Sequence, residues 1–126
     1  MKVGVPAKGE SIDSAVDERF GRSPYFVLVD ATSLALEVFK NPGPAEKDAA
    51  GILACQMLIE KGADAVAVKN IGHNALVSLT GGGVRVYVGA GGSILDTLKM
   101  LKKGQLSPAE TATVGFQDGL TEGEDE

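Results

Sequence analysis

The sequence predicts an α/β fold, a mixed sheet with helices on both faces, from three observations. Short runs rich in Val, Phe and Tyr give way in the second half of the chain to alternating strand and helix patterns, the order of strand–helix–strand units. The stretch "ADAVAVK" lacks hydrophobic alternation, as a parallel strand covered on both faces would. Seventeen glycines in 126 residues, with 44% apolar content, fit one compact domain with tight loops.

The elements follow in order. "KVGVP" (Lys2–Pro6) is a short apolar strand ended by proline. Ala7–Ser23 is a polar loop, long for a compact domain, and loops of this length are often functional. "YFVLVD" (Tyr25–Asp30) is a nearly continuous apolar run and reads as a buried strand. "ATS" (Ala31–Ser33) connects it to the alternating "LALEVFK" (Leu34–Lys40), which suggests an antiparallel hairpin. Two prolines forbid helix in Asn41–Lys47. A helix then runs from Asp48, a suitable N-cap, through "AAGILACQMLIEK" to Gly62, placed where a left-handed residue ends a helix. "ADAVAVK" (Ala63–Lys69) is the fourth strand, and "NIGHNALVSLT" turns into a short helix after Gly72. "VRVYV" (Val84–Val88) is the fifth strand. "GAGGS" leads into "SILDTLKMLKK", with Ser93 as N-cap, Asp96 three residues on, and Ile94, Leu95, Leu98 and Leu101 forming one apolar stripe.

The order β-β-β-α-β-α-β-α leaves few right-handed arrangements. The simplest is a five-stranded mixed sheet ordered 3-2-1-4-5 with the second strand antiparallel, which is the ribonuclease H-like three-layer architecture. The expected domain spans residues 1–106. Residues 107–126 form an acidic tail with little to bury and are expected to be disordered.

Charge and composition exclude several functions. Of seventeen acids, five (Asp118, Glu122, Glu124, Asp125 and Glu126) lie in the last nine residues, so the body is neutral despite a net charge of −5. With no basic stripe, nucleic acid is not an expected partner. No apolar run approaches the roughly 18–20 residues that span a bilayer, so no membrane association is expected. A single cysteine, Cys55, precludes an internal disulfide and is compatible with a cytoplasmic location. The first strand lacks the carboxylates that nucleases of this architecture use to hold two metals. No P-loop and no complete dinucleotide fingerprint is present.

Three loops leave the carboxyl ends of parallel strands, where ligands of open α/β sheets gather. They are Ala7–Ser23, Ile71–Asn74 and Gly89–Gly92. The last two run glycine into a helix N-terminus, whose N–H groups and dipole favour an anion. Arg19 and Arg22 would add positive charge at the rim, Gly21 close backbone approach, and Phe20 an apolar wall. Equally open are an Arg19 ion pair with Asp17 or Glu18 and a Phe20 that plugs the core. His73 and Cys55 are the only residues of their kinds and cannot build a self-contained metal site of about four ligands. His73 stands where it could give one ligand to a preassembled cluster, or simply cap its helix. Cys55, in an apolar helix, reads as a core residue.

"FGRSPYF" (Phe20–Phe26), "AAGILACQMLIEKGADAVAV" (Ala49–Val68), "IGHNAL" (Ile71–Leu76), "GVRVYVGAGGSILDTL" (Gly83–Leu98) and "GQL" (Gly104–Leu106) together resemble the dinitrogenase iron–molybdenum cofactor-binding family. That family includes accessory proteins of nitrogenase cofactor assembly and the orange protein, a carrier of a molybdenum–copper sulfide cluster. The resemblance implies a ribonuclease H-like fold without nuclease chemistry that binds or carries an anionic metal–sulfur cluster, iron–molybdenum cofactor or a relative of it. Carried over position by position, it puts Arg19, Phe20, Gly21, Arg22, Gly72, His73, Asn74, Gly91 and Gly92 around that cluster, with His73 as the one candidate metal ligand. His73 stands where many relatives have proline, and "AEKDAAG" lacks the histidine that many carry there.

The expected function is therefore non-catalytic, in cofactor assembly or delivery, with cofactor-assembly proteins as partners. The alternative is an interaction module of the same fold that binds no metal and docks on a P-loop ATPase. Enzyme activity is not expected, because no nucleophile–base pair can be assembled.

Overall fold

The computed structural model describes residues 1–42 and 50–111. Its strands are β1 (Lys2–Ala7), β2 (Tyr25–Asp30), β3 (Leu36–Lys40), β4 (Ala65–Val68), β5 (Arg85–Val88) and β6 (Ser107–Pro108). Its helices are α1 (Ala50–Glu60), α2 (His73–Gly81) and α3 (Ile94–Lys102), with a 3-10 turn at Phe20–Arg22. The sheet order is β3-β2-β1-β4-β5-β6. β2 is antiparallel to both β1 and β3, while β4 runs parallel to β1 and β5.

The expected order 3-2-1-4-5 is present, but the sheet has six strands. β6 pairs antiparallel with β5 through Tyr87↔Pro108 and Val88↔Ser107. Two residues carry no readable alternation, and proline is tolerated on an edge strand because its missing N–H faces outward. The expected N-cap Asp48 and most of the acidic tail lie outside the described residues. Among the described residues, no helix is long and apolar enough to cross a membrane.

Period-two alternation divides the core into two layers. Phe26 and Leu28 of β2, Val66 and Val68 of β4, and Val86 of β5 face α1 and α2, where Leu58, Leu76 and Leu79 pack on them. Val3 and Val5 of β1, Val27 and Val29 of β2, and Ala67 of β4 face α3 and its Ile94 and Leu98. β2 and β4 are covered on both sides, which is why their sequences are continuously apolar. α1 crosses β1 at Gly4, where a Cβ would stand 2.9 Å from Leu58 Cδ2. A side chain there would hold the helix off the sheet.

α3 starts as its sequence predicts. The N–H of Asp96 donates to Ser93 Oγ at 3.0 Å and the N–H of Ser93 to Asp96 Oδ2 at 3.1 Å, a reciprocal capping box. In the β2–β3 connection, Asp30 Oδ1 accepts from the N–H groups of Thr32 and Ser33 at 2.8 and 3.1 Å, which closes the turn.

Candidate functional site

The carboxyl ends of β1, β4 and β5 lie side by side, and their loops are hydrogen-bonded to one another. Val16 N–H donates to Gly92 O at 2.9 Å, Ile94 N–H to Ser14 O at 3.0 Å and Leu95 N–H to Ile12 O at 3.0 Å. Gly89 N–H reaches Lys69 O at 3.3 Å, and Lys69 Nζ lies 3.5 Å from Glu18 Oε2. β4 and β5 are neighbours whose following helices pack on opposite faces, the arrangement beside which open α/β sheets bind their ligands.

The first loop returns to the end of β1, where Asp17 N–H donates to Pro6 O at 2.9 Å. The Asp17 side chain is 1% exposed and its partner Arg19 is 64% exposed. Asp17 Oδ1 accepts from the Arg19 backbone N–H at 2.9 Å and from Nε at 3.1 Å, while Oδ2 accepts from Nη2 at 3.1 Å. Burial pushes the Asp17 carboxyl up, but the hydrogen bonds and charge of Arg19, helped by Lys8, hold it below its ordinary value. Arg19 is thus paired, as one of the two sequence readings allowed. Arg22 is exposed and forms no ion pair with a described residue.

Phe20 forms no apolar wall at the rim. It is 6% exposed and meets Phe26 edge-to-face with ring centroids 5.2 Å apart, inside the layer that α1 covers. A 3-10 turn places successive side chains about 120° apart, so burying Phe20 leaves the arginines on either side exposed. Gly21 lies in the same turn and is half-buried. Sequence reasoning missed Asn41, twenty residues away. Its Nδ2 donates to both Gly21 O and Ser23 O at 2.9 Å, and its N–H donates to Pro24 O at 3.0 Å. An asparagine directly before a proline, a turn-forming pair, is the signal that could have found it.

The two helix starts differ. At α3, the N–H groups of Ser93, Ile94, Leu95 and Asp96 all have protein acceptors, and Asp96 adds negative charge. The expectation that both glycine loops offer free helix N–H groups therefore fails at α3. Gly91 and Gly92 remain at the crevice as backbone only, with Gly91 O accepting from Thr97 Oγ1 at 3.1 Å. At α2, the N-cap Gly72 supplies no side-chain hydrogen bond. His73 and Asn74 are exposed in the first turn, and among the described residues nothing accepts the N–H of Asn74 or Ala75. Of these two starts, α2 is the one whose first turn holds N–H groups without a described acceptor.

Cys55 is fully buried and its Sγ lies 3.6 Å from Ala75 O. Burial pushes its thiol up to about 12, which suits a core residue and opposes a thiolate ligand. No group of three or more His, Cys, Asp or Glu among the described residues could hold a metal ion.

The lowered carboxylates set an acid limit. Asp30 and Asp96 are held below the ordinary 3.8 by backbone N–H groups, from Ser33 and Ser93 first, and Asp17 by Arg19. Each binds its proton less readily folded than unfolded, so its contribution is complete above the unfolded value and lost as the pH falls through the folded one. The melting temperature is expected to hold nearly constant from about pH 5 to 7 and to drop below about pH 4. Thermal melts across that range check this, and Asp96→Asn should flatten the acid limb.

Residues 1–104 match the family model for dinitrogenase iron–molybdenum cofactor. The chain belongs to that family. Among solved structures, the chain is similar to the apo form of the orange protein from Desulfovibrio gigas, with a TM-score of 0.85 and 30% identity over 89% of this chain and 95% of that one. It is similar also to a NifB-type protein from Thermotoga, with a TM-score of 0.72 and 31% identity over 89% and 96% of the two chains. A dinitrogenase-type protein of Methanocaldococcus jannaschii shares the fold, with a TM-score of 0.65 and 17% identity over 88% and 96%. No curated protein matches the chain. Membership in the dinitrogenase iron–molybdenum cofactor family covers all three loops of the crevice.

Proposed function

We propose that the chain is a non-catalytic carrier of an anionic metal–sulfur cluster, iron–molybdenum cofactor or a related sulfide cluster, used in cofactor assembly or delivery in the cytoplasm. The observation that carries this reading is the α2 start. Two N–H groups without described acceptors stand at the positive end of a helix, on the same edge of the sheet as the exposed arginine loop. Cationic and N–H donors suit a cluster whose outer sulfides carry negative charge. The donor set suits cargo that arrives with its metals already bridged, because the described residues offer no multidentate ion site. His73, at the first position of α2, is the residue that would add a direct ligand. We read the mixed six-stranded sheet as a ribonuclease H-like architecture with an added edge strand, and β1, KVGVPA, has no carboxylate for two-metal chemistry of that kind.

Anaerobic titration with a thiomolybdate–copper cluster and with extracted iron–molybdenum cofactor, followed by native mass spectrometry, tests the proposal. One cluster per chain is expected. Arg22→Ala is expected to weaken binding by about 10- to 100-fold, the scale of a lost hydrogen bond to a charged group. His73→Ala separates ligation from simple proximity. Failure of the folded parent to bind any cluster would leave the family and fold intact and move the function to docking on a P-loop ATPase.

A further inference from the structure

We infer that Asp17 is a positioning residue of the cargo site, a buried carboxylate that holds one edge of Arg19 so that the opposite edge faces the anion. The inference rests on the carrier reading and deepens it. A folding role alone does not explain the arrangement. Asp17 closes its turn by accepting the Arg19 N–H, and a neutral asparagine would do the same. Burying a carboxylate to meet an exposed arginine gains little, since ion pairs of that kind contribute weakly and desolvation of the acid opposes them. What the charge adds is direction. Oδ1 and Oδ2 take Nε–H and one Nη2–H, leaving three of the five guanidinium N–H donors pointing away from Asp17 in a rigid plane.

The frame around that plane is also held. Asp17 is anchored to the end of β1 by its N–H to Pro6 O. Phe20, the next residue after Arg19, is locked against Phe26. Asn41 ties down the carbonyls of Gly21 and Ser23, and Arg22 N–H closes the turn onto Arg19 O at 3.0 Å. Arg19 and Arg22 therefore stand one 3-10 turn apart on a hydrogen-bonded loop, and an Arg19 already oriented by Asp17 loses little entropy when an anion binds.

The test uses the full chain under anaerobic conditions with tetrathiomolybdate plus cuprous ion as the probe, followed by visible absorption. The variants are Asp17→Asn, Arg19→Lys, their double, and Arg22→Ala. Nitrogen-15 NMR of the Arg19 guanidinium Nη groups reports orientation independently of binding. Asp17→Asn keeps an oxygen for Nε–H but turns an NH2 toward Nη2–H. The Arg19 Nη signals are therefore expected to average by rotation and binding to weaken about tenfold, with Arg19→Lys, which keeps the charge but not the fork, similar. The double variant should bind no worse than Arg19→Lys alone, because Asp17 acts through Arg19.

An Asp17→Asn that melts lower but binds within twofold of the parent overturns the inference, as does a double variant whose loss is the product of the single losses. Should Asp17→Asn not fold, unchanged binding in Arg19→Lys overturns it equally. Weaker binding in Arg22→Ala with Asp17→Asn unaffected removes the positioning role and keeps the carrier reading. A folded parent that binds no probe removes the carrier reading, and this inference with it.

Discussion

Phe20→Ala is expected to destabilise the chain by about 3–5 kcal/mol, the usual loss for a large aromatic removed from a core. The ring is 6% exposed and contacts Phe26 edge-to-face at an interplanar angle of 66°. The lost pair contact adds about 0.5–1.5 kcal/mol to what area alone would predict. Urea denaturation should show a lower midpoint at unchanged slope, the sign of a less stable but equally compact native state. Phe20→Leu should recover a large part of the loss, because it refills most of the volume. The same substitution tests where the ring acts. Residual cargo binding by the folded fraction should fall through loosening of Arg19 and Arg22. A ring lining the crevice would instead give weaker binding at an unchanged midpoint.

The second large effect joins β1 to α1. Leu58→Ala is expected to cost about 2–5 kcal/mol, since the side chain is fully buried in the layer between helix and sheet. Gly4→Val is expected to cost about 1–3 kcal/mol by overpacking, because even its Cβ would stand 2.9 Å from Leu58 Cδ2 and 3.6 Å from Val66 Cγ2. The two changes should not add. Shortening Leu58 opens the space that a side chain at position 4 needs, so the double variant should be more stable than the sum of the singles implies. Denaturant titration of the four chains gives the coupling directly. Additive losses would mean that α1 has moved away from the strand as a unit.

Local signals were the ones that could be read in advance. Ser93 and Asp96 act within one helical turn, so the start of α3 follows from residue type and spacing. β2 and β4 are continuous apolar runs because both faces are covered, and this pattern survives any exchange of neighbours. The strand order followed from connection rules applied to that list of elements. β6 escaped because Ser107 and Pro108 become a strand only through β5.

The site was legible in outline and misread in its particulars. Three glycine- and arginine-bearing loops at one sheet edge could be inferred from topology. The direction of Phe20 could not, since a phenylalanine between arginines in a loop has no periodicity to assign it a face. Nor could the sequence separate the two helix starts: "GHN" and "GGS" both read as glycine before a helix. Only the folded chain brings Ser14 and Ile12 onto the first N–H groups of α3 and leaves α2 with a glycine cap that offers no side chain.

By itself, then, the sequence determined the α/β class, five of the strands, the capping of α3 and the family resemblance. These depend on contacts within a turn or on period-two and helical spacing, and they do not need distant residues in place. Tertiary structure decided that Asp17 is buried and clamps Arg19, that Asn41 holds the loop of Gly21 and Ser23, and which of the α2 and α3 starts keeps N–H groups without a described acceptor. Each of those outcomes is a hydrogen bond or burial completed by a neighbour, and loop hydrogen bonding is settled by competition among partners that only the packed sheet brings within reach.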